Sequence, residues 1–257
     1  MKVILIGELC NDEYVYCNVN RVSPEAPVPV ADIKWINKMD GMAGNVANNL
    51  RAFGIDIDRH HNSPKQGIRK VRYVDIKSGH HLLRVDTTHP NITPFDVTSV
   101  SYQLDQYDVI VVSDYNKGFV TYEAVQQLRQ LFKGPILIDS KKDDLGQFEG
   151  CIVKINEDEY NKAKSLPRSV IVTLGSKGAM YDDHVYASPS VEMFDVCGAG
   201  DTFLAGLTYK ILQGESIGPC IEFANRCAGV AVQHRGTYAL TEKDIESLII
   251  KTLQGRV

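Results

Sequence analysis

Asp195-Val196-Cys197-Gly198-Ala199-Gly200-Asp201-Thr202-Phe203 is a run of small residues bracketed by two carboxylates, and the spacing from 201 to 213 predicts an amphipathic helix. Gly198, Ala199 and Gly200 leave the backbone bare, so their N–H groups and the positive end of the helix can hold an anion such as a phosphate. A carboxylate in the first turn of a helix is ordinarily a cap. Beside a phosphate site, Asp201 also suits a general base. It could take a proton from an alcohol while the amides hold the charge developing on a transferred phosphoryl group. The chain has no G-x-x-x-x-G-K-[ST] P-loop, and Gly198-Ala199-Gly200 lacks the spacing of a dinucleotide fingerprint, so neither standard nucleotide motif accounts for the run.

Upstream lie five short, mostly β-branched apolar runs, at 3–6, 109–112, 136–138, 151–155 and 170–174. They lack polar alternation and read as buried parallel strands. Helical stretches separate them, such as 121–132, where Val125, Leu128, Leu131 and Phe132 recur at helical spacing. Residues 13–36 and 69–86 break this rhythm. Both read as antiparallel strands apart from the main sheet, the second folding around a Ser78-Gly79 turn, and together they suit a small β flap over the ligand edge. After Gly200 the chain reads as helical over 201–213, 217–232 and 242–253. With no repeat, low-complexity tract or linker, residues 1–257 read as one α/β domain carrying a flap. Open α/β sheets bind ligands beyond the carboxyl ends of their strands. Gly7, Asp114, Asp139, Asn156 and Gly175 close the strands here; singly each is an ordinary turn or cap residue, but together they line one edge.

The 257 residues carry 28 Lys+Arg against 32 Asp+Glu, a net charge of −4, which argues against a nucleic-acid or membrane-surface binder and for a small-molecule ligand. No apolar run approaches the roughly 18 residues of a membrane span, so a cytoplasmic protein is expected. Cys10, Cys17, Cys151, Cys197, Cys220 and Cys227 show no C-x-x-C spacing and read as small buried hydrophobes rather than disulfides or zinc ligands. The pairs His60-His61 and His80-His81 read as solvated surface histidines, because neighbours in a strand point to opposite faces.

Residues 195–203 resemble the second signature, D-T-x-G-A-G-D-x-F, of the ribokinase-like (PfkB) carbohydrate kinases, departing at Val196, where the family usually has Thr. The resemblance runs through nearly the whole chain in the family's order. Gly41-Met42-Ala43-Gly44-Asn45 is similar to the G-G-x-x-N motif, Asn156-Glu157-Asp158-Glu159 to N-x-x-E, and Thr173-Leu174-Gly175-Ser176-Lys177-Gly178 to the nucleotide loop. Residues 21–30 and Ser113-Asp114-Tyr115-Asn116-Lys117-Gly118 resemble the members of that family that phosphorylate D-glycero-β-D-manno-heptose 7-phosphate. The resemblance implies a ribokinase-like fold, a mostly parallel sheet flanked by helices with a β-flap lid, and an ATP-dependent sugar kinase. It makes Asp201 the base and Gly198, Ala199, Gly200 and the Asp201 amide the anion hole. Asn11, Asp12, Gly41 and Asn45 would meet the sugar, and Asn156 and Glu159 would organise Mg²⁺ and the phosphates. Thr173, Gly175, Ser176, Lys177, Gly178 and Asn225 would contact ATP, while Asp195, Ala231 and Gly236 would shape a site for K⁺.

An acceptor phosphate needs fixed cations, for which Arg84, Lys117 and Lys141 are candidates, with solvated surface charge the alternative for each. Related kinases pair their flaps, so a homodimer through Tyr14, Tyr16, Val28, Val30 and Trp35 is implied. Three departures stand out. Met42 replaces the second family glycine, putting a long side chain where backbone should approach the sugar; Glu8 stands where the family usually has Asp; and a βα unit between 57 and 69 and a helix between 164 and 169 are missing. Two other readings stay open: a kinase of the same fold for another sugar or a nucleoside, and a non-catalytic relic that binds a sugar phosphate.

Overall fold

A computed structural model describes residues 1–63, 67–89 and 91–254. The chain begins with β1 (Lys2–Gly7), then the long hairpin β2 (Leu9–Val22) and β3 (Pro29–Met42), helix α1 (Ala43–Ala52) and edge strand β4 (Asp56–His61). A second hairpin, β5 (Ile68–Asp75) and β6 (His81–Thr88), follows. The alternating part comprises β7 (Val109–Asp114), α2 (Tyr122–Leu131), β8 (Ile136–Ser140), β9 (Ile152–Asn156), α3 (Glu157–Lys162) and β10 (Val170–Thr173). Short strands β11 (Ala179–Tyr181) and β12 (His184–Tyr186) precede α4 (Ala199–Leu212), α5 (Ile217–Ala231) and α6 (Glu242–Gln254).

The main sheet has the order β12-β11-β10-β9-β8-β7-β1-β4, parallel from β10 to β4 and antiparallel at β11 and β12. The five apolar runs are its strands β1, β7, β8, β9 and β10, which lie side by side within the sheet. Because strand side chains alternate, each run feeds two cores. Ile4, Ile6, Ile110, Val112, Ile136, Ile138, Val153 and Ile155 pack on α2, whereas Val3, Leu5, Val109, Val111 and Leu137 pack against α1, α4 and α5. Buried on both faces, such strands cannot alternate with polar residues, which is why continuous apolar runs identify them.

The lid is a four-stranded sheet, β3-β2-β5-β6. Its two hairpins are antiparallel as expected, but β2 and β5 join them in parallel, a correction to the purely antiparallel reading. Parallel neighbours need a long crossover, and here α1 and β4 of the main body supply it. The strands span more than the flap boundaries read from sequence, from Leu9 to Met42 and from Ile68 to Thr88. Edge strand β4 escaped the sequence reading, since Asp56-Ile57-Asp58-Arg59-His60-His61 carries no apolar run. The next strand after it is β5 of the lid, and residues 64–66 between them lie outside the described residues. His60 is half-buried rather than solvated, its ring edge-on to Phe95 at 5.6 Å. Five of the six cysteines are buried, Cys197 is half-buried, and all are free. No helix among the described residues is long and apolar enough to cross a membrane.

Candidate active site

Gly198 caps α4 with φ +78°, a left-handed conformation natural to glycine. A Cβ there would stand 2.7 Å from Asn45 Nδ2, and one on Gly200 would stand 2.7 Å from Lys154 Nζ. Bare backbone at both positions lets the helix end approach an amide and an ammonium from two other elements. The Ala199 N–H turns back to Val196 O at 3.2 Å, which removes it from the expected anion hole. The open first-turn amides are those of Gly200 and Asp201, as helix geometry dictates when no side chain caps the end.

Asp201 is 4% exposed. Asn45 Nδ2 donates to its Oδ2 at 3.0 Å and Tyr115 Oη to its Oδ1 at 3.0 Å. Burial pushes the carboxyl up to about 6, reinforced by the charge of Asp139 and opposed by the Asn45 and Tyr115 hydrogen bonds and by Lys154. A carboxylate poised there is ionised at neutral pH yet basic enough to accept a proton.

Lys154 is a residue the sequence reading passed over. It interrupts the apolar run at 151–155, is buried to 3% exposure, and bonds Asp139 Oδ2 at 2.8 Å beside Gly200. A lone Lys inside a buried strand was the signal that could have found it. Asp139 sits between two ammoniums, Lys154 and, at 3.5 Å, Lys141. Although burial opposes its ionisation, the two lysines outweigh that and hold the carboxyl below its ordinary range. Lys141 also bonds Glu159 Oε1. Glu159 and Asn156 form a capping box on α3, so the cap reading of Asn156 holds, and the box fixes Glu159 at the carboxyl edge of the sheet.

On the lid side, Asp12 accepts from Arg72 NH1 at 2.7 Å and Thr237 Oγ1 at 3.3 Å, and a Cβ on Gly41 would stand 2.4 Å from its Oδ2. Arg72, buried and unforeseen, is therefore the cation at the expected sugar site. Arg84 is its cross-strand partner on the same face, but it lies on the edge strand, exposed and paired with Asp86 at 2.9 Å, so the solvated-charge reading holds for it. Lys117 is likewise exposed; its backbone N–H, not its ammonium, is engaged, by Glu8. Asn11 is exposed too, because strand alternation sends it to the face opposite Asp12. Of the three candidate cations, only Lys141 is brought to the centre. Met42 keeps a glycine-like backbone, φ +57° and ψ −127°, and turns its side chain into the core with Ile68 and Cys10, so it does not fill the sugar site.

Across α4 from the lid, a cleft of about 400 Å³ gathers Thr173, Gly175, Ser176, Gly178 and Asn225 with Ala199 and Gly200. Its apolar wall, including Val191, Met193, Ala228 and Val232, went unread because these residues come from loops and helix ends without periodic pattern. Lys177 is exposed and stays off the wall. Asn225 is spent structurally, donating to Tyr186 O at 2.8 Å. Asp195 accepts from Gly236 N at 2.8 Å and Cys197 N at 3.0 Å, and the amides of 194 and 195 bond Val232 O next to Ala231, so the three expected cation-site residues lie on adjoining segments. Burial raises the Asp195 carboxyl, but the two amide bonds prevail and hold it below its usual range.

The chain is similar to several known proteins. The HldE bifunctional protein of a Nitratiruptor species is 29% identical over 297 residues, covering 95% of this chain and 64% of its own length; that of Hyphomonas neptunium is 30% identical, covering 96% and 63%. The chain thus spans somewhat less than two thirds of these relatives. In fold it is similar to phosphofructokinase-2 from Escherichia coli in complex with potassium (TM-score 0.74, 15% identity, 97% and 98% of the two chains) and to Arabidopsis thaliana ribokinase complexed with ribose and ATP (0.70, 15%, 96% and 98%). Residues 100–244, more than half of the chain and including the 195–203 run, match the pfkB family of carbohydrate kinases. A ribokinase-like α/β sheet, a bare-backbone helix end beside a buried carboxylate and this match together place the chain in the pfkB family of carbohydrate kinases, a family whose chemistry implies ATP and a divalent metal.

Proposed function

We propose that this kinase transfers the γ-phosphoryl group of ATP to D-glycero-β-D-manno-heptose 7-phosphate, giving the 1,7-bisphosphate, with Asp201 as the base. The observation that carries the chemistry is the meeting of the open α4 amides, buried Asp201 and buried Lys154 at one point between the apolar cleft and the lid. Adenosine suits the cleft walled by Val191, Met193 and Val232, which leads the phosphates toward Gly200. The sugar meets Asp12, Gly41 and Asn45, and Asp201 takes the proton of its attacking hydroxyl. The Gly200 and Asp201 amides, with the Lys154 ammonium, hold charge developing on the phosphoryl oxygens. Lid closure by β2 and β5 excludes water, which would otherwise compete as acceptor.

The side-chain oxygens of Asn156 and Glu159, fixed by their capping box at the carboxyl edge of the sheet, are donors of the kind a hard cation takes, so these two residues fit Mg²⁺ shared with the phosphates. Asn156 and Glu159 would hold it there, where it neutralises phosphate charge when bound. Asp195, Ala231 and Gly236 suit a K⁺ site behind the anion hole, a reading favoured by the potassium in the phosphofructokinase-2 neighbour. The heptose assignment is supported by the HldE relatives. Pairing of two lids is favoured by the exposed Val28, Ile33, Trp35 and Ile36 of β3 and its approach; Tyr14, buried, takes no part. The substrate is tested by ADP release with heptose 7-phosphate, ribose, fructose 6-phosphate and adenosine. Turnover confined to the heptose is expected, and preference for another acceptor overturns the assignment.

A further inference from the structure

We propose that Tyr115 is a positioning residue for Asp201, and that Glu8 holds it there by clamping the loop that follows β7. The proposal rests on the reading of Asp201 as the base. Tyr115 and Asn45 each donate to a different oxygen of Asp201, both at 3.0 Å, so two elements from opposite sides of the site fix the carboxylate plane. Each oxygen keeps a lone pair for an acceptor hydroxyl. Burial, followed by the nearby charge of Asp201, pushes the phenol well above its ordinary range and keeps it protonated, so Tyr115 acts only as a donor and never as a rival base. Lys70 of β5 and Lys141 lie 5.2 and 5.6 Å from its ring centroid, and cations near the ring strengthen the O–H as a donor.

The clamp explains the departure at position 8. Glu8 is wholly buried, and its carboxylate accepts the backbone N–H groups of Tyr115 (2.8 Å), Phe119 (3.1 Å) and Lys117 (3.3 Å). An aspartate, one methylene shorter, would stand back from this loop. Asp114, the neighbour of Tyr115, is locked by Lys142, Ser140 and the Asn116 amide. The Ser113–Gly118 stretch is therefore anchored on both sides of Tyr115, and only its phenol is spent on the site.

Tyr115→Phe removes the hydroxyl and keeps the ring. The charged and titratable groups facing Asp201 are Tyr115, Asp139 of β8, Lys154 of β9, Lys141 and the Cys10 thiol of β2, with Asn45 of α1 as the other donor. Loss of a donor to the ionised form makes that form less favourable, so the acidic limb of kcat against pH moves to higher pH. With the best acceptor from the panel above, kcat is expected to fall about tenfold, with KM for ATP unchanged and the limb about one pH unit higher. A Tyr115→Phe enzyme with wild-type kcat and an unmoved limb overturns the proposal. Glu8→Gln, which turns one acceptor into a donor, is expected to move the limb the same way; no movement overturns the clamp. Asp201→Asn runs alongside: wild-type turnover in that variant shows that the base assignment itself has failed, and the proposal falls with it.

Discussion

Asp201→Asn is expected to stabilise the protein while disabling it. The carboxyl rises from 3.8 to about 6 on folding, chiefly through burial. At about 1.4 kcal/mol per pH unit, that rise means the ionised side chain costs the native state about 3 kcal/mol. The sign follows from linkage. Because the folded pKa lies above the unfolded one, the native state binds the proton more tightly, so the cost is fully present above pH 6 and fades as pH falls through 6 toward 3.8. An asparagine removes it without losing the local bonds: its Oδ1 can accept from Asn45, and its amide can donate to Tyr115 Oη, which turns to accept. In a chain of this size, about 3 kcal/mol corresponds to a melting temperature higher by about 6–12 °C. The assay is thermal unfolding of both proteins, free of nucleotide, at pH 8 and pH 4.5. The variant should be more stable at pH 8, with the gap mostly closed at pH 4.5. A variant less stable at pH 8, or a gap that does not shrink with acid, would refute the reasoning that burial, with the charge of Asp139 beside it, makes this carboxylate costly.

Other substitutions test separate parts of the site. Lys154→Met leaves buried Asp139 with only Lys141 at 3.5 Å, so a loss of about 3 kcal/mol in urea unfolding and at least about 100-fold in kcat is expected; a stable, fully active variant contradicts the role given to Lys154. Gly178→Ala would place a Cβ 2.0 Å from Tyr186 O at φ +105°, so a loss of at least about 2 kcal/mol and weaker binding of a fluorescent nucleotide are expected. Met42→Gly relieves a strained backbone worth about 1–3 kcal/mol but empties a buried Met site worth about 2–5 kcal/mol, so net destabilisation of about 1–3 kcal/mol with little change in kcat is expected. A gain in stability there would show that strain, not burial, dominates.

What the sequence disclosed follows from which residues carry a period. The inner strands were legible because burial on both faces forces apolar runs, and α5 and α6 because their buried faces recur at helical spacing. Helix α4, expected to be amphipathic, is instead buried all round from Asp201 to Thr208, because it packs between α1, α5 and the sheet. The small residues from Gly198 to Gly200 located the helix end, since bare backbone there has few other uses. Partners settled by tertiary pairing stayed hidden. Arg72 and Arg84 face each other across β5 and β6 with the same parity, and only the sheet order makes one buried and the other exposed. Lys154 and Tyr115 were in plain view, yet their roles depend on how closely β9 and the loop after β7 approach α4, which no local pattern reports. Asn11 was misplaced by adjacency to Asp12, although the period of two in a strand separates them.

The central claim is that Asp201 and the open end of α4 transfer a phosphoryl group from ATP to a sugar hydroxyl. It is tested most directly by measuring acceptor-dependent ADP formation, with Mg²⁺ and K⁺ present, for the wild-type enzyme and for Asp201→Asn, together with nucleotide binding by both. The expected result is turnover by the wild type and a loss of at least about 100-fold in the variant at nearly equal ATP affinity. Equal turnover by the two proteins, or ATP binding by the wild type without turnover on any acceptor of the panel, would contradict it.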